Sequence, residues 1–247
     1  MRRALERDEM GRYFYPIDEA LWPLLTNFHG ESTYSCSVET EIDMTEADSF
    51  RKELEKSSGV HITLNSLIVK GAAKSLEDHI ILAGRRVERL DRIICPDPKD
   101  APIGMPIQVG DSIRGVVIEG ANRKGLVELA KELNETVKRI KETGEQPRIE
   151  WKTPLLVVSN IGNIGEVKSG FGQMGGGINS TLGICSIIKK PVVRNDEVVI
   201  RKMMNAIVLW DHFAMMANTP IEFLNELKRY LEEPSRLISD DESCLPE

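Results

Sequence analysis

The chain predicts a mixed α/β sandwich, one large β-sheet with helices covering a single face. Three observations carry that expectation. Four stretches repeat apolar residues at helical spacing, several others alternate with period two or run continuously apolar, and the two kinds are interleaved rather than segregated. The order is a strand, two helices, several strands, a long helix, many strands and a final helix.

The first clear strand runs from Thr33 to Asp43. Cys36, Val38, Thr40 and Ile42 fall on one face, with Ser37, Glu39 and Glu41 on the other, the signature of a half-buried strand. Thr45 is read as the N-cap of the helix that follows, with Glu46 and Asp48 in the first turn, where the helix dipole favours acidic groups. Phe50 and Leu54 form its apolar stripe and Ser57-Ser58-Gly59 ends it. A second helix spans Leu64 to Glu77 on the spacing of Leu64, Leu67, Ile68, Ala72 and Leu76. Residues 80–118 read as strands broken at Pro96-Asp97-Pro98, Gly104 and Gly110-Asp111, clearest at Ile113–Ile118. The longest helix covers Lys124 to Thr143, stopped by Gly144.

A charged hinge, 145–152, leads into a strand-rich second half. Pro154–Ser159 is a continuous apolar run, as in a buried strand. Leu182–Ile188, Val192–Val193, Val198–Ile200 and Ala206–Trp210 read as further strands, with Asn195-Asp196 as a turn. In the last helix Thr219 is read as cap, Pro220 as the first helical position and Glu222 as the closing residue of a capping box. Ile221, Leu224, Leu227 and Leu231 are expected to face inward, and Pro234 to end it. The whole of 1–247 is expected to be one domain, with an aromatic-rich arm over 1–30 (Tyr13, Phe14, Tyr15, Trp22, Phe28) packing on the core or on a neighbour. Residues 235–247 form an acidic tail.

With 41% hydrophobic residues the chain can bury a sizeable core. A net charge of −7, with both signs mixed throughout, excludes the basic face of a nucleic-acid binder. The start MRRALERDEM carries no apolar signal segment, and no run of about 18 apolar residues suggests a membrane span. Cys36, Cys95, Cys185 and Cys244 are scattered without CxxC spacing, so neither a metal nor a disulfide framework is expected. A cytoplasmic location is the expectation.

Histidine is the cheapest route to acid–base chemistry near neutral pH. His29, His61 and His79 read as surface or capping residues. His212 stands where the apolar strand Ala206–Trp210 ends, a place where α/β proteins display functional groups. Ser159 and Asn160 follow another buried strand and precede Gly162 and Gly165. They either start a turn or offer hydrogen bonds to a developing oxyanion. Gly170, Gly172 and Gly175 can be traced as Gly-x-Gly-x-x-Gly, but a strand pattern follows, so no nucleotide loop is read there.

In order, the segments VVSNIGNIG, KKPVVRNDEVVIRKMM, WDH and PIEFLNELKRYLEEP resemble the catalytic domain of the 2-oxo acid dehydrogenase acyltransferases, the dihydrolipoamide acyltransferases. ETEIDMTEADSFRKELEK, ITLNSLIVKGAAKSLED and RGVVIEGANRKGLVELAKEL agree upstream, so the likeness runs from about Tyr34 to Pro234. It implies a chloramphenicol acetyltransferase-like fold and thioester-dependent acyl transfer, with coenzyme A or acyl-CoA as substrate and no covalently bound cofactor. By position His212, preceded by Asp211, is the general base. Ser159, supported by Asn160, is the oxyanion donor. The resemblance further implies a homotrimer or an assembly of trimers, with His212 and Ser159 meeting across a subunit interface. A separate lipoyl-bearing protein is an implied partner, since no lipoyl or subunit-binding domain is read in this sequence. The chain departs from the family's Asp-His-Arg-x-x-Asp-Gly motif at Phe213, Met216 and Ala217, which makes the surroundings of His212 more apolar. A trimeric scaffold or regulatory subunit with impaired catalysis is the alternative that these departures raise.

Overall fold

The computed structural model describes residues 5–16, 35–86, 92–110, 112–145, 154–170 and 178–238. The first strand of the main sheet is β3 (Ser35–Asp43), after two short N-terminal strands, β1 (Glu6–Arg7) and β2 (Tyr13–Pro16). Helices α1 (Thr45–Ser58) and α2 (Leu64–Leu76) follow, then short strands β4 (Arg85–Arg86) and β5 (Arg92–Cys95). Next come the hairpin β6 (Ile103–Val109) and β7 (Ser112–Ile118) and helix α3 (Leu126–Thr143). The chain continues through β8 (Leu156–Asn160), β9 (Ser180–Arg194), β10 (Glu197–Asp211) and α4 (Asn218–Glu232). Six strands form the main sheet in the order β3-β10-β9-β8-β6-β7, and β1-β2-β5-β4 form a second, smaller one. In the main sheet β8 runs parallel to both β6 and β9, and the other neighbours are antiparallel, so the sheet is mixed.

One face of the main sheet carries the core. Ile42, Leu156, Val158, Leu182, Ile184, Met204, Ala206, Val208 and Trp210 are buried there against Leu67, Ile68 and Ala72 of α2, Leu129 and Leu133 of α3, and Phe223, Leu224 and Leu227 of α4. α2 and α4 approach closely because Gly71 has no side chain. A Cβ built there would lie 3.1 Å from Leu227 Cδ1. The Lys70 ammonium, buried in α2, donates to the carbonyls of Asn122 (2.9 Å) and Lys124, tying down the turn that leads into α3.

The alternation expected for the first strand is present: Cys36, Val38 and Thr40 are half-buried, Ile42 is buried, and the residues between them up to Glu41 are exposed. Thr33 and the rest of 17–34 lie outside the described residues, as do His29, most of the hinge, the glycines from Gly172 to Gly177 and the tail beyond 238. Four expectations need correction. The strands expected at 182–188, 192–193, 198–200 and 206–210 are two continuous strands, β9 and β10. The part of β10 before Met203 has no β3 beside it, so the outer ribbon is at most half-buried on one face and carries charged residues such as Lys190 and Arg201 where apolar ones would mark a strand in sequence. Thr45 is the first helical residue of α1, not its cap, and its hydroxyl instead accepts from Lys202 N at 3.0 Å. α4 begins at Asn218, so Thr219 does not cap it, Glu222 does not close a capping box from that residue, and Pro220 occupies the third position. Proline is tolerated there because that N–H has no intrahelical partner in any case. Ile221 is 41% exposed, and the inward stripe uses Phe223 in its place.

Besides Thr45, a buried carboxylate ties α1 to β10. Asp48 is buried and accepts from Lys52 (2.9 Å), from Lys202 and from Arg51 (2.8 Å). Burial pushes its pKa up, but the hydrogen bonds from Lys202 and Lys52 and the Arg51 charge outweigh burial and hold it well below the usual carboxylate range. A carboxylate so depressed contributes stability above its unfolded pKa and loses it as pH falls toward the folded value. Asp48→Asn is therefore expected to cost about 1.5–3 kcal/mol at pH 7. In urea titrations of wild type and variant at several pH values, the gap should close below about pH 4.

Candidate functional site

His212 follows the last residue of β10 and sits in a turn, Asp211 to Ala214. Asp211 builds that turn. Its buried carboxylate accepts from Phe213 N at 3.1 Å and its carbonyl from Ala214 N at 2.9 Å, while its own N–H donates to the Asn179 carbonyl at 2.8 Å. A side-chain oxygen bonding to the backbone two residues on is the usual way an aspartate fixes a turn. His212 is half-buried, and its ring lies 6.2 Å from that of Trp210 at a tilt of 36°.

Ser159 stands near the end of β8, directly opposite Gly183, which in turn lies opposite Ile207 of β10. Residues opposite one another share a face. Ile207 packs with Cys185 and Leu209 in a small cluster on the side away from the helices, so Ser159 looks to that side too. Asn160, opposite Ile184 and level with Ala206, looks to the helix side instead. There its Nδ2 donates to Asn65 Oδ1 at 2.6 Å, while its Oδ1 is buried with no hydrogen-bond partner. Sequence reasoning missed Asn65. It lies in the first turn of α2 with nothing in its local pattern to mark it.

The segment after Asn160 crosses the helix-free face as a strap. Ile161 N and Gly162 N both donate to the Ile184 carbonyl (3.0 and 3.2 Å), Ser186 and Val167 exchange hydrogen bonds, and Ser169 Oγ donates to Glu39 of β3 at 3.0 Å. Ile161 and Val167 cover Cys185, Ile207 and Leu209. Gly162 makes the strap possible, because a Cβ there would fall 2.4 Å from the Cys185 backbone.

The structure does not bring Ser159 and His212 together within one chain. Ser159 is level with Ile207, five residues short of His212 and two strands away. At about 3.3 Å per residue and about 4.8 Å per strand, the two are on the order of 20 Å apart. Of the departing motif positions, Phe213 is buried in the core, whereas Met216 is 46% exposed. Met216, Met215 and Ala214, together with His79 and Glu222, line a cleft of about 480 Å3. A second cleft, of about 570 Å3, is lined by His61, Thr63, Asn65, Met105, Lys138 and Lys141.

The other described histidines are engaged structurally. His61 Nδ1 meets Glu55 at 2.9 Å on the surface, and His79 Nε2 lies 3.4 Å from Glu226 with its ring edge-on to Phe223. Burial pushes the Cys95 thiol up to about 12 and raises Cys185 as well, so both stay protonated small hydrophobes. Among the described residues no group of three or more His, Cys, Asp or Glu is placed to hold a metal ion, and no helix is long and apolar enough to cross a membrane.

A family model described as the 2-oxoacid dehydrogenases acyltransferase (catalytic domain) matches residues 29–239. Over 206 residues the chain is 23% identical to the dihydrolipoyllysine-residue acetyltransferase component of the pyruvate dehydrogenase complex of Rickettsia prowazekii, covering 83% of this chain and 48% of that protein. Over 201 residues it is 27% identical to the lipoamide acyltransferase component of the branched-chain alpha-keto acid dehydrogenase complex of Bacillus subtilis, covering 78% and 45%. The chain thus spans about half the length of the curated relatives it matches. In fold it is similar to a probable dihydrolipoamide acetyltransferase from Listeria monocytogenes, with TM-score 0.74 and 21% identity over 94% of this chain and 97% of that one. The dihydrolipoamide acetyltransferase of Azotobacter vinelandii matches equally well, with TM-score 0.74 and 20% identity over 94% of each chain. Its crystallographic study concerns the catalytic roles of a serine, a histidine and an asparagine four residues beyond the histidine. Chloramphenicol acetyltransferase follows at TM-score 0.59 and 13% identity, over 81% and 89%.

The strap allows a direct test of this geometry. Gly162→Ala must move backbone rather than a flexible side chain, so it is expected to lower stability by roughly 1–3 kcal/mol. A guanidinium unfolding midpoint equal to that of wild type would contradict the close approach.

Proposed function

The chain belongs to the 2-oxoacid dehydrogenase acyltransferase family through its catalytic domain, and we propose that it moves an acyl group between coenzyme A and a dihydrolipoyl thiol, with His212 as general base and Ser159 as oxyanion donor. The observation that carries this reading is the placement of His212. It is held half-buried in a turn built by Asp211 at the end of a core strand, as a proton acceptor for a bound thiol requires. The His212 imidazole takes the proton of the attacking thiol, and the thiolate sulfur adds to the thioester carbonyl. The oxygen of the tetrahedral adduct gains charge and accepts a hydrogen bond from Ser159 Oγ. As the adduct collapses, the carbon–sulfur bond to the first carrier breaks, and the departing thiolate recovers the proton from the imidazolium. A thiol gives up its proton near neutral pH to an imidazole without help from a metal ion.

A separation on the order of 20 Å is too great for one proton acceptor and one oxyanion donor to share a carbonyl. The reading is therefore that His212 of one copy faces Ser159 of the next, in a homotrimer or a larger assembly of trimers. Ser159 lies on the helix-free face, where another copy has access to it. The acyl-CoA enters as substrate, and a lipoyl-bearing domain presents the second thiol. The reading takes 1–247 as one catalytic unit, and a cytoplasmic location goes with it. The Azotobacter enzyme's asparagine has Met216 as its positional counterpart here, four residues after His212. This is the observation that favours the second reading, a scaffold or regulatory subunit with impaired catalysis.

Acetyl transfer from acetyl-CoA to free dihydrolipoamide separates the two. His212→Ala is expected to lower kcat about 10²–10⁴-fold and Ser159→Ala about 10²–10³-fold. Co-refolding the two inactive variants in equal amounts should restore roughly a quarter of the wild-type rate if the site is shared between neighbouring copies. Equal rates for wild type and His212→Ala would instead assign the scaffold role.

A further inference from the structure

The chain just after Ser159 is held twice. In the plane of the sheet Ile161 N and Gly162 N donate to the Ile184 carbonyl. On the helix side the next side chain, Asn160, reaches into the helix layer and donates its Nδ2 to Asn65 Oδ1 at 2.6 Å. That contact leaves Asn160 Oδ1 buried without any partner, an arrangement that costs folding free energy. A side chain kept at such a cost is a candidate for a role other than stability.

The anchor itself is rigid. Asn65 is the second residue of α2, and the N-cap Thr63 accepts from Ser66 N at 3.1 Å. Asn134 of α3 donates to the His61 carbonyl at 2.7 Å, so the approach to α2 is tied to a second helix. Asn65 also borders the 570 Å3 cleft beside Thr63 and His61. One amide therefore connects the wall of an open cleft to the strand end that carries Ser159.

We propose that Asn65 is a positioning residue for acyl transfer, whose side-chain oxygen holds the Asn160 amide and so aims the Ser159 hydroxyl at the oxyanion. The inference rests on the reading that Ser159 is the oxyanion donor. An ordinary tertiary hydrogen bond at this place would affect stability alone. A positioning contact affects kcat, leaves KM for acetyl-CoA unchanged, and acts only through Ser159.

The test compares Asn65→Leu, Asn65→Ala and Asn65→Asp in the full chain, with acetyl-CoA and free dihydrolipoamide. Leucine removes the acceptor at similar volume and is expected to lower kcat ~10- to ~100-fold while KM for acetyl-CoA stays within about twofold. Alanine carries the same expectation should the leucine variant not fold. Aspartate keeps an acceptor oxygen and should recover kcat to within about threefold of wild type. In a Ser159→Ala background the Asn65→Leu change should add no further loss. Wild-type kcat in Asn65→Leu, or losses that multiply in the double variant, overturns the positioning role and leaves the acyltransferase reading standing. Absence of any His212-dependent turnover in the wild type overturns both.

Discussion

The register of the β9–β10 hairpin is the constraint on which the rest of the molecule depends. Its turn, Asn195-Asp196, places both residues at positive φ, 50° and 63°, the left-handed pair that matches strand twist in a two-residue loop. From that turn the ladder runs back to Trp210 opposite Ser180, with a bulge between Met204 and Ala206. A slip by one residue would send Met204, Ala206, Val208 and Trp210 to the helix-free face. The same register sets the level of Gly183 and therefore of Ser159, and it sets where β10 ends and His212 begins.

A sheet covered by helices on one face leaves its other face to be dealt with differently along its width. On β3 the outward residues are Ser37, Glu39 and Glu41, which tolerate water. In the middle, Ile207, Leu209 and Cys185 do not, and the strap from Ile161 to Ser169 covers them. Ser159 lies at the root of that strap beside Gly183, whose lack of a side chain leaves room around the hydroxyl. The packing of the helix-free face and the strand end that carries Ser159 are thus coupled. The apolar demand of one cluster dictates the path of the loop that starts at Ser159.

At the other end of the sheet, Asp211 explains how His212 keeps its place although the motif around it has changed. The turn is closed by Asp211 to the backbone of Phe213 and Ala214, so it requires no particular side chain at those positions. Phe213 has been absorbed into the core, where an arginine would need partners for its charge. Met216 has gone the other way, to the rim of the cleft. Of the two apolar replacements, Phe213 is buried and Met216 is exposed.

Periodicity determined which segments are helices, where Gly59 and Gly144 end two of them, and which faces of β3, α2 and α3 are buried, because each follows from local spacing and from the αL conformation that glycine adopts freely. The family, and Asp211, His212, Ser159 and Asn160 as candidates, were legible in the order of short motifs. Their arrangement was not. Strand order and register are set by hydrogen bonds between residues far apart in the chain, and these alone put Ser159 and His212 on the order of 20 Å from each other. The continuity of β9 and β10 through charged residues, the helix starts at Thr45 and Asn218, and the Asn65–Asn160 contact across 95 positions were likewise decided by tertiary partners. A hydroxyl or amide takes whichever acceptor or donor the fold brings to it, and local sequence does not reveal which that will be.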